Sequence, residues 1–165
     1  MIGNEVDARF IRDWYRETTQ NASWATPNKV PEGWKYLSSG CYRSVYLHVE
    51  SGVVYKIERD RNYTGGQTNE GEYNNLRLYR FKRMPKGCRF PRWAFYAFED
   101  QDNVMAMEYF THLLKEYSRY DEKGSRHWEN LRKIRNVLQG IWDLHGANLA
   151  VDQTTEELVP IDLGG

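Results

Sequence analysis

The feature that most restricts the fold lies between Trp34 and Glu108, where short apolar runs alternate with clusters of turn formers. Tyr36 and Leu37 open the series, Val45, Tyr46, Leu47 and Val49 follow, and Glu50-Ser51-Gly52 turns the chain into Val53, Val54, Tyr55 and Ile57. Runs this short, rich in β-branched and aromatic residues and bounded by turns, suit hairpin strands. Two more strands fit Trp93 to Glu99 and Val104 to Glu108, around the turn signal Asp100-Gln101-Asp102-Asn103. Between the pairs, Asn69 to Arg83 reads as a helix with Glu72, Leu76, Tyr79 and Arg83 on one face, stopped by Pro85 and Gly87. The expectation is an α+β fold: an antiparallel sheet with one associated helix.

The flanking segments add helices and a small hairpin. Asn4 to Thr19 reads as a helix capped by Asn4, with Val6, Phe10 and Trp14 as its apolar stripe. Gln20 to Gly33 reads as a surface connection. Lys123 to Gly140 is a helix by the spacing of Trp128, Leu131, Ile134, Val137 and Leu138, continued by Ile141. Leu149 to Val151 and Leu158 to Ile161 form a short hairpin across Asp152 to Glu157.

Composition excludes several classes. In 165 residues, 23 Lys and Arg balance 23 Asp and Glu, and 40% of residues are hydrophobic. That is too apolar for a disordered chain, and no uncharged apolar run is long enough to span a membrane. The zero net charge gives no general attraction to nucleic acid, which is not an expected partner. Cys41 and Cys88 stand far apart and no signal peptide precedes them, which points to a reducing, cytoplasmic location. Asn21-Ala22-Ser23 and Asn62-Tyr63-Thr64 therefore read as loop residues and not as glycosylation sites. His48, His112 and His127 lack metal-ligand spacing.

Four sequence pieces, taken in order, resemble the core of the protein kinase-like superfamily. Leu37 to Val45, with Gly40 at its centre, resembles the glycine-rich loop, with Ser38 and Arg43 in place of the outer glycines. Val53-Val54-Tyr55-Lys56 is similar to the strand whose lysine holds the α and β phosphates of ATP. Val104 to Phe110 resembles the strand and hinge that meet adenine, with Met107 as gatekeeper. Asp143-Leu144-His145-Gly146-Ala147-Asn148, then Asp162-Leu163-Gly164 after the hairpin, is similar to the catalytic loop and magnesium turn. The Asp-Leu-His wording is the form seen in aminoglycoside phosphotransferases and other small-molecule kinases, and Ile141 and Trp142 replace the His and Arg of ordinary protein kinases.

The resemblance implies an ATP- and magnesium-dependent phosphotransferase acting on a protein Ser or Thr or on a small molecule. Lys56, Glu72 and Asp143 would be catalytic, with Glu70 the fallback partner of Lys56. Ser39, Gly40, Tyr42, Val45, Val54, Lys56, Met107, Glu108 and Phe110 would contact the nucleotide, and Asn148 and Asp162 would hold the metal. It divides the chain into a helix and linker at 1–33 and a minimal kinase-like domain at 34–165, with an N-lobe to about 108 and a reduced C-lobe beyond. Because the sequence stops after the metal turn, the expectation includes an uncovered apolar face that takes a protein partner or a second copy. Chains this short resemble bacteriophage-encoded proteins, which would place this one in a host cytoplasm. The alternative is a pseudokinase-type module that inhibits or modulates a cellular protein. A third reading is nucleic-acid contact through the basic, aromatic stretch Arg77 to Arg92.

Overall fold

The structure, a computed structural model, describes residues 2–20, 27, 29–60 and 67–164. Both Asn-x-Ser/Thr sequences, at Asn21 and Asn62, lie outside the described residues, as do 61–66 of the polar loop after Glu58. The chain divides into two compact units, residues 1–73 with 92–109 and residues 74–91 with 110–165.

The first unit is built on a five-stranded sheet. Its strands are β1 (Trp34–Ser39), β2 (Arg43–His48), β3 (Val53–Glu58), β4 (Trp93–Tyr96) and β5 (Val104–Glu108), in the order β1-β2-β3-β5-β4. Every pair is antiparallel. Register sets the two faces, because directly paired residues point the same way. Tyr46, Tyr55, Ala106 and Ala94 align across the strands, as do Val45, Lys56, Met105 and Phe95 on the opposite side. β4 ends at Tyr96, earlier than the expected Glu99, because the chain turns there: Phe98 donates its N–H to Asn103 Oδ1 and its carbonyl accepts from Gln101.

Helix α1 (Glu5–Thr19) covers one face, started by Asn4, whose Oδ1 accepts from the Asp7 N–H at 2.8 Å. The buried stripe differs from the expected one. Ala8, Ile11 and Tyr15 enter the core with Tyr46, Tyr55, Ile57, Val104 and Ala106, while Val6 is 77% exposed and Phe10 half-exposed. At about 100° per residue Val6 and Phe10 lie on the side of the helix away from Ala8, Ile11 and Tyr15, and the drift of about 40° per four residues brings only Trp14 back to the edge of the core, where it packs against Tyr46. Full burial of side chains like Ile11 contributes about 1.5–3 kcal/mol each, and Ala8 lets the backbone approach. Arg16 fixes the helix further through two 2.6 Å bonds to Asp102 and one of 2.7 Å to the Glu58 carbonyl.

Helix α2 (Asn69–Tyr79) ends four residues before the expected Arg83. The Lys82 N–H turns back to the Tyr79 carbonyl at 2.8 Å, three residues away, which tightens the chain out of the helix. At its start the Asn69 N–H donates to Glu58 Oε1 at 2.8 Å. Asn69 Nδ2 bridges the Lys56 and Asn103 carbonyls at 2.7 and 2.8 Å.

The second unit contains α3 (Glu122–Val137) and the hairpin β6 (Leu149–Val151) with β7 (Leu158–Pro160). Asp121 caps α3 by accepting from Gly124, and a Cβ at Gly124 would strike the Ser118 carbonyl at 1.6 Å, so only glycine fits. Leu131 and Ile134 are buried, and Trp128 donates to the Tyr117 carbonyl at 2.9 Å. Asp152 in the hairpin turn accepts from Arg89 at 2.8 Å, which with the Thr154 and Thr155 amides holds its carboxyl down to about 2. Among the described residues no helix is long and apolar enough to cross a membrane.

Two buried titratable groups give opposite pH dependences. Burial pushes the Glu58 carboxyl up to about 7 against its bond to Asn69, with Asp102 adding to the rise and Arg43 and Arg16 opposing it. A raised folded pKa contributes stability that is complete below the ordinary carboxylate value and is lost as pH rises through about 7. E58Q keeps the acceptor for Asn69 without the charge. It is expected to melt with wild type near about pH 5 and above it at about pH 8, and identical curves at both would contradict this. His127 is 1% exposed, neither ring nitrogen has a partner among the described residues, and burial lowers its pKa. Its contribution is present above the ordinary histidine value and is lost as pH falls through the lowered one. In a thermal melt series from about pH 7 to about pH 5, H127L is expected to lose less stability than wild type; parallel slopes would exclude His127 as the cause.

Candidate functional site

In the first unit, the sheet face opposite α1 gathers most of the residues singled out from sequence. Val45 pairs with Lys56 and Val54 with Met107, so all four side chains share that face. Lys56 and Met107 are buried, at 5% and 2% exposure. Glu72, one turn into α2, meets Lys56 there: Nζ lies 2.9 Å from Oε1 and 2.8 Å from Oε2. Glu70, the fallback, is exposed. Arg43, from the same face of β2, also donates to Glu72 Oε2, so one buried carboxylate holds two cations.

The other expected nucleotide contacts are placed differently from one another. Ser39 pairs with Ser44, and its Oγ accepts from the Tyr36 hydroxyl at 2.8 Å, which turns the side chain to the α1 side of the sheet. A bulge between Tyr36 and Ser38 shifts the register there, which the sequence pattern did not disclose. Gly40 donates its N–H to the Arg43 carbonyl at 2.9 Å, and its own carbonyl accepts from Arg59 at 3.0 Å. Its backbone does not require glycine, and a Cβ there would meet nothing within 4 Å, so the space beside the loop is open. Tyr42 is exposed, with its carbonyl bonded to the Arg59 N–H at 2.7 Å. Glu108 is buried and its carboxylate accepts from the Arg92 N–H at 2.7 Å. Phe110 belongs to the second unit, where the Arg89 guanidinium lies 5.5 Å from its ring.

In the second unit, the hairpin organises the Asp143, Asn148 and Asp162 segment. The Ile161 N–H donates to the Asn148 carbonyl at 2.9 Å, extending the β6–β7 ladder and setting Asp162 one residue beyond it. Asn148 Nδ2 donates to the Asp143 carbonyl at 2.9 Å and to Asp143 Oδ2 at 3.1 Å. Asp162 Oδ1 accepts from the Gly164 N–H at 3.1 Å. Arg135 of α3 grips the loop by two bonds to the Leu144 carbonyl, at 2.6 and 3.1 Å.

His145 is a residue whose local role sequence reasoning missed. The Ala147 N–H donates to its Nδ1 at 3.1 Å, so that nitrogen is an acceptor and the proton resides on Nε2. Nε2 lies 3.2 Å from Asp143 Oδ1. Asn148 thus holds one carboxylate oxygen of Asp143, and the His145 ring stands beside the other. The signal was the i, i+2 spacing of Asp143 and His145 in a tight turn.

The donor chemistry fits a hard divalent cation. Asn148 uses its amide hydrogens on Asp143, while its amide oxygen accepts from no described residue, and Asp162 supplies a carboxylate. Among the described residues no group of three His, Cys, Asp or Glu is arranged to hold a metal by itself. Comparison with known proteins adds nothing to this geometry: no family model matches the chain, and no curated protein matches it either.

Proposed function

We propose that this protein is a minimal kinase-like, ATP- and magnesium-dependent phosphotransferase. The observation that carries the reading is the buried Lys56–Glu72 pair on the sheet face that also bears Val45, Val54 and Met107. A lysine aimed by a carboxylate is the arrangement that positions an amine on nucleotide phosphates. Lys56 would hold the α and β phosphates, and the open backbone at Gly40 would allow phosphate oxygens to approach. Asp143, with one oxygen bonded to Asn148 and the other beside His145, would accept the proton of the attacking hydroxyl. Asn148 and Asp162 would hold the metal, which when bound supplies charge neutralisation at the phosphates.

The Arg43 contact favours a second reading. Its guanidinium shares the Glu72 carboxylate with Lys56, so the carboxylate is not devoted to aiming the lysine and the cluster can serve to hold together a scaffold that acts as a binding module. On that reading nucleotide is dispensable and a cellular protein is the ligand.

Thermal unfolding with about 2 mM ATP separates the two, since ligand at about 100 times its Kd adds about 2.7 kcal/mol. The phosphotransferase reading expects a rise of several degrees with magnesium that EDTA removes. D162N is expected to remove the magnesium-dependent part and to abolish phosphate release from ATP while the variant still melts cooperatively. K56M is expected to remove the ATP response. No shift in wild type, or full phosphate release by D162N, would overturn the proposal in favour of the binding module.

A further inference from the structure

The turn that ends α2 presents cations and an aromatic ring with no described counter-charge. No Asp or Glu occurs between Glu72 and Glu99. Arg89 and Arg92 in this stretch are paired with Asp152 and Glu108. Arg80, Lys82, Arg83 and Lys86 are exposed, and none forms an ion pair with a described residue. Phe81 is 81% exposed, with the Arg80 guanidinium stacked 4.4 Å from its ring centroid. At this exposure the ring faces outward among the cations, open to a ligand.

The turn is held at both ends within the second unit. The Tyr79 hydroxyl accepts from the Gly140 N–H at 3.0 Å. At the other end Gly87 accepts from Leu158 at 2.9 Å, and Arg89 donates to the Leu158 carbonyl at 3.1 Å. Gly87 has φ +82°, and a Cβ there would lie 2.8 Å from Asn130 Nδ2, so the exit from the turn is fixed as well. The Gly140 bond also brings the backbone two residues before Trp142, 92% exposed, onto the side chain two residues before Phe81. A clamped ridge loses little conformational freedom on binding.

We infer that this ridge is a binding surface for single-stranded nucleic acid, with Arg80, Lys82, Arg83 and Lys86 on phosphates and Phe81 and Trp142 as stacking platforms for bases. Interleaved cations and exposed aromatic faces are the chemistry that tracks a flexible strand without reading its sequence. A phospholipid surface needs a broader apolar face than the ridge offers: α2 contributes only Leu78 as a large exposed apolar side chain beside Phe81. The chain's overall neutrality does not oppose this, because Coulomb attraction acts over about 10 Å at ordinary salt and is set by the local charge.

The test is fluorescence anisotropy of labelled oligo(dT), about 20 nucleotides long, with the full chain between about 50 and 200 mM salt. Four phosphate contacts predict a slope of log K against log salt near about −3. K82E/R83E/K86E is expected to abolish binding, and K82Q/R83Q/K86Q to weaken it and flatten the slope. F81A is expected to weaken binding about tenfold at an unchanged slope, and W142A to weaken it by a smaller factor. Circular dichroism and melting of each variant separate these effects from unfolding. No binding at the lowest salt, full binding by the triple variants, or an F81A/W142A protein that binds as tightly as wild type would overturn the assignment. So would capture by phosphatidylserine vesicles of a chain that ignores the oligonucleotide. Because the ridge excludes Lys56 and Asp162, failure here leaves the phosphotransferase reading standing.

Discussion

The buried carboxylate of Glu72 is the constraint on which the first unit depends. At 0% exposure it has left water entirely, and Lys56 and Arg43 both donate to it, which compensates its desolvation. Removing one partner of a buried ion pair commonly costs about 3–5 kcal/mol, whereas an exposed pair is worth at most about 1 kcal/mol. Ion pairs on exposed helix surfaces here, such as Arg9–Glu5, belong to the second kind. Glu72 thus fixes α2 against β2 and β3 through charge, while Glu58 and Asn69 fix the same helix at its first residue through hydrogen bonds. The three strands and the helix start are specified as one set, and a displacement of α2 would leave several buried polar atoms without partners.

This gives the sheet two chemically distinct faces. Under α1 the contacts are apolar and aromatic: Tyr15 and Trp14 pack edge-on to Tyr46, and Trp34 packs against Tyr55. The opposite face carries Arg43, Lys56 and Glu58 beside Val45, Val54 and Met107. A structural face seldom buries three charged side chains in register on two neighbouring strands, because desolvation exceeds the gain unless geometry is good.

Strand existence and order along the chain were legible, because β-branched runs bounded by turn residues leave few alternatives. The Lys56–Glu72 pair was legible only through the resemblance, which implied a glutamate partner on the next helix, the packed side of that helix then choosing Glu72 over Glu70. What was not legible depends on three-dimensional competition. Of the expected α1 stripe only Trp14 packs on the core, because Val6 and Phe10, large as they are, lie on the side of the helix away from Ala8 and Ile11. The end of α2 was placed late because Arg80 to Arg83 are compatible with a helix, and only the Tyr79 bond to Gly140 and the turn after it end the helix. The direction of the Ser39 side chain was not legible either, because a one-residue bulge, invisible in the pattern, reverses it. Expectations that rested on 21–26 and 61–66 fall outside the described residues.

The second unit shows how a short loop orients an acid without burying it. Asp143 is exposed, so desolvation does little to fix its position, and hydrogen bonds must do so. Asn148 donates to one carboxylate oxygen and to the Asp143 carbonyl, His145 faces the other oxygen, and Arg135 ties the intervening Leu144 to α3. Leu144 and Leu149, buried on either side, convert this polar turn into an extension of the core. A turn chosen only for its tightness would need an Asp or Asn for backbone bonds and nothing more. Here Asn148 also bonds to the Asp143 carboxylate, and the Ala147 amide fixes the His145 ring beside it, so the loop orders a carboxylate as well as a turn.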